Sequence, residues 1–429
     1  MNTFVHIDNF RGFSKALIPL KEVNFLVGEN STGKTSFLEL VETFSNIMFW
    51  VLDPKFGIPG AQQKHFLDLV SAESDVKKTF TIGAVEISND AQNQSNGMLI
   101  TYENQGGRPV PSRITVVSGE SVRSVEGKLW KARMGTAYKS RIKELRPTEN
   151  GDLVQLNAIV ELHNSPLGFS KAVVPEELEG TPILMRFEKE LFEGKGLGER
   201  KEKAPSPFMR NFVDLAPIRT KPRRTYDAPQ TGFSPEGEHT PYVIKRRLSN
   251  KIQAAAFQAF LEQAGKSSGL FKSISVKPYG TGPQAPFEMK IVLSKASLSL
   301  ENVGYGVSQA LPVLVEMFVR PKGAAFTIQQ PEVHLHPKAQ ATFGDLIAEL
   351  ARLDEKVFFV ETHSDFTIDR FRLNVRQTGK IPSQLLFFER SEAGNTVTPI
   401  AILENGDLCA DQPDAYRSFF FNESLSILS

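Results

Sequence analysis

Cysteine is all but missing from this 429-residue chain: Cys409 stands alone. One thiol cannot close an intramolecular disulfide, so the fold must rest on a packed core, and the composition suits a reducing cytosol. Net charge is nearly missing too. Fifty Lys and Arg face forty-nine Asp and Glu, leaving +1. No whole-molecule field marks a dedicated nucleic-acid binder, and any such contact needs a local basic patch. No apolar run is clean enough to span a bilayer. The longest, "FLELVETFSNIMFWVL", is interrupted by Glu39, Glu42, Ser45 and Asn46 and reads as an amphipathic helix. The start, "MNTFVHIDNFRGF", has no basic segment followed by an apolar one, so no secretory signal is expected and the protein is expected in the cytoplasm without a membrane partner. Sustained heptads are absent, which argues against a long coiled-coil arm, and no internal repeat is seen.

What is present is an ordinary globular balance, 40% hydrophobic and 23% charged, in a length that allows two or three domains. "TFVHIDNF" and "KALIPL" read as strands around a turn at Gly12, and "VNFLVG" as a strand buried on both faces. A helix follows, with Phe37, Leu40, Val41, Phe44, Ile47 and Val51 at helical spacing. Four runs between 78 and 164, "KTFTIGAVEI", "GMLITYE", "SRITVVS" and "LVQLNAIVELH", are read as strands of an antiparallel sheet. "PILMRFEKELFE" reads as a helix and "GKGLGERKEKAPSP" as an exposed loop. A helix is expected around 243–264 and a hairpin around 272–300. Beyond 300 the pattern alternates helix and strand: "SQALPVLVEMFV", "AAFTI", "AQATFGDLIAELARL", "KVFFVET", "SQLLFFE", "TPIAIL". Alternation implies a parallel sheet with crossovers. The fold class is therefore α/β with an antiparallel β subdomain and an inserted middle. Residues 1–104 and 211–429 form the two parts of one discontinuous domain, and 105–210 form the insertion.

"GENSTGKT" fits the G-x-x-x-x-G-K-[ST] pattern between a strand and a helix, the context the pattern demands. Gly28 and Gly33 let backbone N–H groups face phosphates, Lys34 brings a point charge, Thr35 offers Mg²⁺ a hydroxyl, and the helix start adds its partial positive charge. "KVFFVETHSDF" delivers His363 to the carboxyl end of a strand, the edge where open α/β sheets bind ligands. Its bland reading is a helix-capping neighbour of Ser364 and Asp365. "ENVGYGVSQALPVL" places Gly304 and Gly306 before a helix beginning near Ser308, a second anion-binding helix start or simply a turn.

Together and in this order these blocks resemble the ABC-type ATPase heads of the SMC and RecF group. They resemble more closely the ATPases related to the overcoming-lysogenisation-defect (OLD) family, ATPase-only type. "NFRGF", "GENSTGKTSF", "NVGYGVSQALPVLVE", "QQPEVHLHPKAQ", "ETHSD", "ENGDL", and the middle segment "DLAPIRTKPRRTY" with "SPEGEH" carry the likeness. It spans most of the chain and is weakest between 105 and 205. The resemblance implies an ABC-type P-loop head that binds ATP and Mg²⁺. It also implies a head-to-tail ATP-sandwich dimer, or a higher homo-oligomer of such dimers. Carried over by position, Asn30, Ser31, Thr32, Gly33, Lys34, Thr35 and Ser36 hold the nucleotide and the metal, and Arg11 lies near the base. Gly306 and Ser308 reach the other protomer's γ-phosphate, and His363 is the switch histidine. The departure from an LSGGQ signature leaves the serine role between Ser308 and Asn302.

Such heads end the strand before the turn in an Asp that orients metal-bound water and a Glu that activates the attacking water. "TIQQPE" aligns Gln329 and Gln330 with them. A neutral amide accepts no proton at pH 7 and brings no charge to a metal. Each lost charge near the metal costs on the order of a few kcal/mol. Glu332, beside Pro331, remains as the carboxylate that can serve as base. Two versions follow: Glu332 works and turnover is slow, or the site binds ATP, seldom hydrolyses it, and locks a scaffold.

Other signals are weaker. His334 and His336 invite a metal reading, but without further ligands at defined spacing a structural turn fits better. "RTKPRR" (219–224) and "KRR" (245–247) read as solvated faces or as nucleic-acid or partner contacts, with Arg219 the exception because its block belongs to the ATP lobe. "YRSFFFNESLSILS" reads as a terminus docked on its own core or on a partner. A transporter subunit is disfavoured by the signature. An OLD-type nuclease would need a further domain, for which the roughly sixty residues after "ETHSD" are too few. Similar ATPases are paired with a nuclease or toxin in bacterial anti-phage systems such as Septu and PARIS. The preferred expectation is an ATPase that senses, scaffolds or restrains a separate effector, and the alternative is a RecF/SMC-like DNA-binding repair ATPase.

Overall fold

The computed structural model describes residues 2–51, 65–72, 78–88, 95–119, 121–126, 131–132, 135–144, 151–167, 169–174, 205–227, 230, 232–282, 284–392 and 394–417. The chain forms two compact units. Unit 1 holds residues 1–21, 28–210 and 387–399; unit 2 holds 22–27, 211–386 and 400–429.

Unit 1 is built on an antiparallel sheet in the order β10-β9-β7-β6-β5-β4-β1-β2, with β8 paired to β9. Its strands are β1 (Asn2–Asp8), β2 (Ala16–Leu20), β4 (Thr79–Ile87), β5 (Asn96–Gln105), β6 (Arg108–Ser118), β7 (Ser121–Glu126), β8 (Lys131–Ala132), β9 (Gly135–Glu144) and β10 (Phe169–Val174). The apolar runs expected at 2–20, 78–87 and 97–118 are all strands. "LVQLNAIVELH" is not. It forms helix α3 (Asp152–Asn164), whose buried Leu156, Ile159, Leu162 and His163 lie three or four residues apart. That spacing, not the density of apolar residues, decides the outcome. Leu156, Ile159 and Leu162 pack on Phe4, Val85, Ile87, Leu99, Val117 and Val122 of the sheet.

The helix expected to run through Val51 is also two pieces, α1 (Lys34–Ser45) and α2 (Ile47–Val51). Asn46 leaves helical geometry at ψ 112, and its side chain accepts the Met48 N–H at 3.0 Å. A local side-chain bond competes with the helix ladder there. The kink lets Phe44, Phe49 and Trp50 gather with Phe208.

Unit 2 holds a three-stranded sheet of β12 (Ser273–Pro278), β13 (Phe287–Val292) and β14 (Ser297–Ser299), one strand more than the expected hairpin. The helix expected at 243–264 is broken into α4 (Thr240–Ser249) and α5 (Ala254–Ser268). Asn250 is the cause, accepting from the Ile252 and Gln253 N–H groups with its side-chain oxygen. The other sheet runs β11-β15-β16-β3-β17-β18. Its members are β3 (Val23–Gly28), β11 (Phe212–Leu215), β15 (Ala325–Gln329), β16 (Val357–Glu361), β17 (Ser383–Ser391) and β18 (Gly394–Ile402). The pairs β11–β15, β15–β16 and β16–β3 are parallel, as alternation predicts. Helices α6 (Tyr305–Val319), α7 (Pro337–Asp354) and α8 (Asp365–Thr378) complete the unit. Register sets Gln329 opposite Glu361, and Glu361 opposite Leu26, so three strands end together. The segments "PILMRFEKELFE" and the three consecutive Phe near the C-terminus lie outside the described residues, as do all but the end of "GKGLGERKEKAPSP". Among the described residues no helix is long and apolar enough to cross a membrane.

Two histidines are buried in unit 1, His6 on β1 and His163 on α3. His163 is held between the Thr101 and Thr115 hydroxyls at 2.8 and 2.7 Å, while both ring nitrogens of His6 lack a partner. Burial pulls their pKa values down to about 3 and about 4. Each is therefore neutral in the folded chain where an unfolded histidine, at 6.5, takes a proton. The unfolded state binds more protons below 6.5, so stability is present above that pH and is lost as pH falls towards 4. For His6 the full loss is about 3 kcal/mol. Thermal unfolding between pH 7 and 4.5 should show the melting temperature falling with pH, and less steeply in His6→Leu. Equal slopes in the two proteins would remove His6 from the account.

Candidate functional site

The phosphate-cradle motif lies in unit 1. Gly28 ends β3 with φ 137, and a Cβ on it would come within 2.0 Å of the Phe388 carbonyl oxygen. Gly33 has φ 99, and its Cβ would meet the Phe13 ring at 2.5 Å. Only glycine fits either place. Phe13 and Phe37 both pack on Phe388, at 6.3 and 5.9 Å between centroids, and form the bed of the loop. Gly33 is also the N-cap of α1: it brings no capping side chain, and the first turn holds no acid. The helix start thus keeps backbone donors and positive potential for an anion. Lys34 is buried, with Nζ donating to the Gly28 and Glu29 carbonyls at 2.8 and 2.6 Å. Thr32 donates to the Glu29 carbonyl at 2.8 Å. Asn30, Ser31 and Thr35 are exposed, and Ser31 takes φ 64. Arg11 meets Glu39 at 2.7 Å and Ser36 at 3.4 Å, which sets it along the first turns of α1.

The strand-end motifs lie in unit 2. Gln330, at φ 45, turns the chain out of β15 and donates its N–H to the Glu361 carbonyl at 2.8 Å. Pro331 and a tight turn, Leu335 N–H to the Glu332 carbonyl at 2.9 Å, then aim the Glu332 side chain back at the sheet. Its Oε1 accepts the His363 N–H at 2.6 Å, while its Oε2 is buried with no partner. Burial raises the Glu332 pKa. The bonds from the His363 and Glu332 N–H groups and the Thr362 hydroxyl, with the charge of Arg219, lower it without cancelling the rise. This is a carboxylate poised to take a proton through one free oxygen.

Arg219, the exception in its basic run because its block belongs to the ATP lobe, is 3% exposed. Nη2 donates to the Gln329 carbonyl at 3.0 Å, and Gln309 holds its backbone from both sides, at 3.3 and 3.4 Å. Nε and Nη1 have no partner. Burial pulls its pKa down to about 10 against the charge of Glu332. Gln309 was not singled out by the sequence at all. Its only signal is its place next to Ser308.

The remaining predicted residues divide. Gly306 approaches the turn after β15, where a Cβ would meet the His334 carbonyl oxygen at 2.9 Å, and Tyr305 rests against the His334 ring. Ser308 is buried with its hydroxyl on the Tyr305 carbonyl at 2.8 Å, whereas Asn302 is exposed. His363 presents an exposed side chain. His336 starts α7 and His334 occupies a left-handed turn position at φ 63. The basic runs do not share one face. Arg219 turns inward, Lys221, Arg223, Arg224 and Arg246 are exposed, and Lys245 donates to the Ala285 carbonyl at 2.8 Å.

These donors fit the groups the motif implies. A phosphate is matched by the α1 start and Lys34. For Mg²⁺ unit 1 offers the exposed Thr35 hydroxyl, a hard oxygen donor of the kind magnesium takes beside nucleotide phosphates.

A family model described as an AAA ATPase domain matches residues 1–148 and 230–368. No curated protein matches. Among solved structures the chain is similar to the SMC head bound to the C-winged helix domain of ScpA. Identity is 11%, coverage 94% of this chain and 98% of that one, and the TM-score 0.45. It is also similar to the SMC head domain from Thermotoga maritima, with 12% identity, 93% and 98% coverage, and a TM-score of 0.38. A third is the Smc head with an extended coiled coil bound to the C-terminal domain of ScpA derived from Pyrococcus furiosus. There identity is 12%, coverage 100% and 98%, and the TM-score 0.40.

A buried cation with two unpartnered donors costs stability. Arg219→Met keeps the stem and removes that cost, so it should melt within a few degrees of the parent, or above it. A large drop, measured by calorimetry, would show that the guanidinium is a structural tie.

Proposed function

The chain belongs to the AAA ATPase domain family and is an ATPase; from that premise we propose that it hydrolyses ATP slowly, with Glu332 as its catalytic carboxylate. The observation that carries this is the Glu332 side chain, fixed on Oε1 by the His363 N–H at 2.6 Å and open on a buried Oε2. Glu332 accepts a proton from water through Oε2. The water oxygen bonds to the γ-phosphorus, and the bond from that phosphorus to the β–γ bridging oxygen breaks, releasing ADP. Gly28 and Asn30 to Ser36 hold the phosphates through N–H groups and Lys34, and Arg11 steadies the base side. Thr35 and Gln329 would hold Mg²⁺, whose chemistry is to polarise the phosphoryl oxygens. Gln330 orients water as a neutral amide, and the His363 side chain contacts the γ-phosphate. With amides at 329 and 330, charge stabilisation is reduced and turnover is slow.

We place the chain with the ATPase-only relatives of the OLD family. It pairs head to tail as an ATP sandwich, with the Gly306–Ser308 segment facing the partner's nucleotide. On this reading residues 105–210 are an insertion in the ATPase head. The protein acts in the cytoplasm, where it senses for or restrains a separate effector, such as a nuclease, in antiviral defence. The sequence blocks quoted above support this assignment. A DNA-binding repair ATPase would need a basic face, and the inward turn of Arg219 weakens the candidate run.

The test is ATP turnover with oligomer size, in the parent, Glu332→Gln and Gln330→Glu. Glu332→Gln should lower turnover about 100-fold or more, and Gln330→Glu should raise it about tenfold or more. The acid limb of the parent's pH–rate profile should lie above the ordinary carboxylate range, because Glu332 must be ionised and its pKa is raised. Turnover unchanged in Glu332→Gln would dismiss this residue as base. ATP-driven assembly without turnover in the parent would make the protein a nucleotide-locked scaffold.

A further inference from the structure

Unit 2 holds a cleft that, of the nucleotide motifs, takes only Ser308 of the signature segment into its lining. It is an open cleft, its empty volume of about 530 Å³ including solvent at the mouth. It lies between the segment 220–226, the start of α4 and the middle of α6. Its floor is apolar: Ile244, Met289, Leu300 and Leu311 line it, all buried. Tyr226 and Tyr242 form an aromatic wall, edge to face at 6.0 Å between centroids.

Two polar features make this more than a packing gap. Thr240 lines the cleft, is 3% exposed, and its hydroxyl has no hydrogen-bond partner. A buried hydroxyl left unpaired is destabilising, and a ligand that pairs it removes that cost. Across the cleft, Pro312 sits inside α6. Proline has no N–H, so the Ser308 carbonyl, four residues earlier and on the same wall, receives no ladder bond from it. The cleft therefore offers a buried hydroxyl that can donate or accept, and on its other wall a helix turn that lacks one ladder bond. At the rim Lys221 and Arg223 stand near Glu238, with Asp227 close to Tyr242, so the mouth carries no strong net charge.

An apolar slot with an aromatic wall and a buried hydroxyl without a partner suits a flat heteroaromatic ring with a hydrogen-bonding group at its edge. We propose that this cleft is a second ligand site that takes a nucleobase, from a free nucleoside or from an unstacked base of a single strand. The site is separate in the chain from the phosphate cradle at Gly28–Thr35. Through Ser308 and Pro312 it touches the helix that carries the Gly304–Gly306 segment.

The probes are adenosine, guanosine, cytidine and thymidine, titrated calorimetrically into the full chain. None carries a phosphate for the cradle. At least one should bind saturably in the parent and equally in Lys34→Ala, which disables the cradle. Tyr242→Ala, at a half-exposed position, should weaken that binding roughly tenfold or more, as loss of a stacking partner does. Thr240→Val, nearly isosteric, should weaken it several-fold. A parallel titration with short single-stranded DNA separates the sources. Binding tighter than the nucleoside's and lost in Tyr242→Ala assigns the site to strands; weaker binding assigns it to free nucleosides. No nucleoside binding, binding untouched by both Tyr242→Ala and Thr240→Val, or binding abolished by Lys34→Ala would overturn the proposal. Loss of ATP turnover in Lys34→Ala tests the ATPase reading independently.

Discussion

The hydrogen bond from the His363 N–H to the Glu332 carboxylate, 2.6 Å long, is the constraint on which unit 2 turns. It joins the turn after β15 to the end of β16, two strands already in register at Gln329 and Glu361. Without it, Glu332 would follow the turn into solvent. With it, a carboxylate is held at the carboxyl edge of a parallel sheet, where ligands bind in open α/β folds. The left-handed Gln330 and the proline after it exist to make that return possible, and their strain is tolerated because the turn bonds overdetermine it.

The cradle in unit 1 is built without acids in its own helix. The start of α1 carries neither acid nor capping side chain, and Lys34 is parked on loop carbonyls. Those bonds satisfy a buried ammonium in the absence of phosphate, since an unpaired buried cation is costly. An arriving phosphate offers stronger charge-assisted partners for the same hydrogens. The loop is thus stable empty and still prefers an anion.

Much of this could be read from the residues. The Gly28–Thr35 motif has a fixed spacing with a mechanism behind it, and the alternation after residue 300 has only one common solution in space. The failures share a cause. "LVQLNAIVELH" is rich in residues that strands favour, but its buried set repeats at helical spacing, and the sheet face it covers is far away in sequence. Asn46 and Asn250 break helices through bonds to their own backbone, which a hydrophobic pattern does not register. Arg219 was set apart from its solvated run, but its contacts could not be read because they are made 90 and 110 residues away, with Gln309 and Gln329.

The paired glutamines become intelligible through that arginine. Acids at 329 and 330 would add two negative charges to an edge that already holds Glu332. With amides, the charged groups there are Glu361 at the end of β16, Glu332, whose pKa is raised, and Arg219, whose pKa is lowered. Each shift is driven mainly by burial, and each group's charge eases the other's burden. Amides at 329 and 330 therefore add no charge to that edge, and the Arg219 guanidinium there keeps two buried donors without a partner.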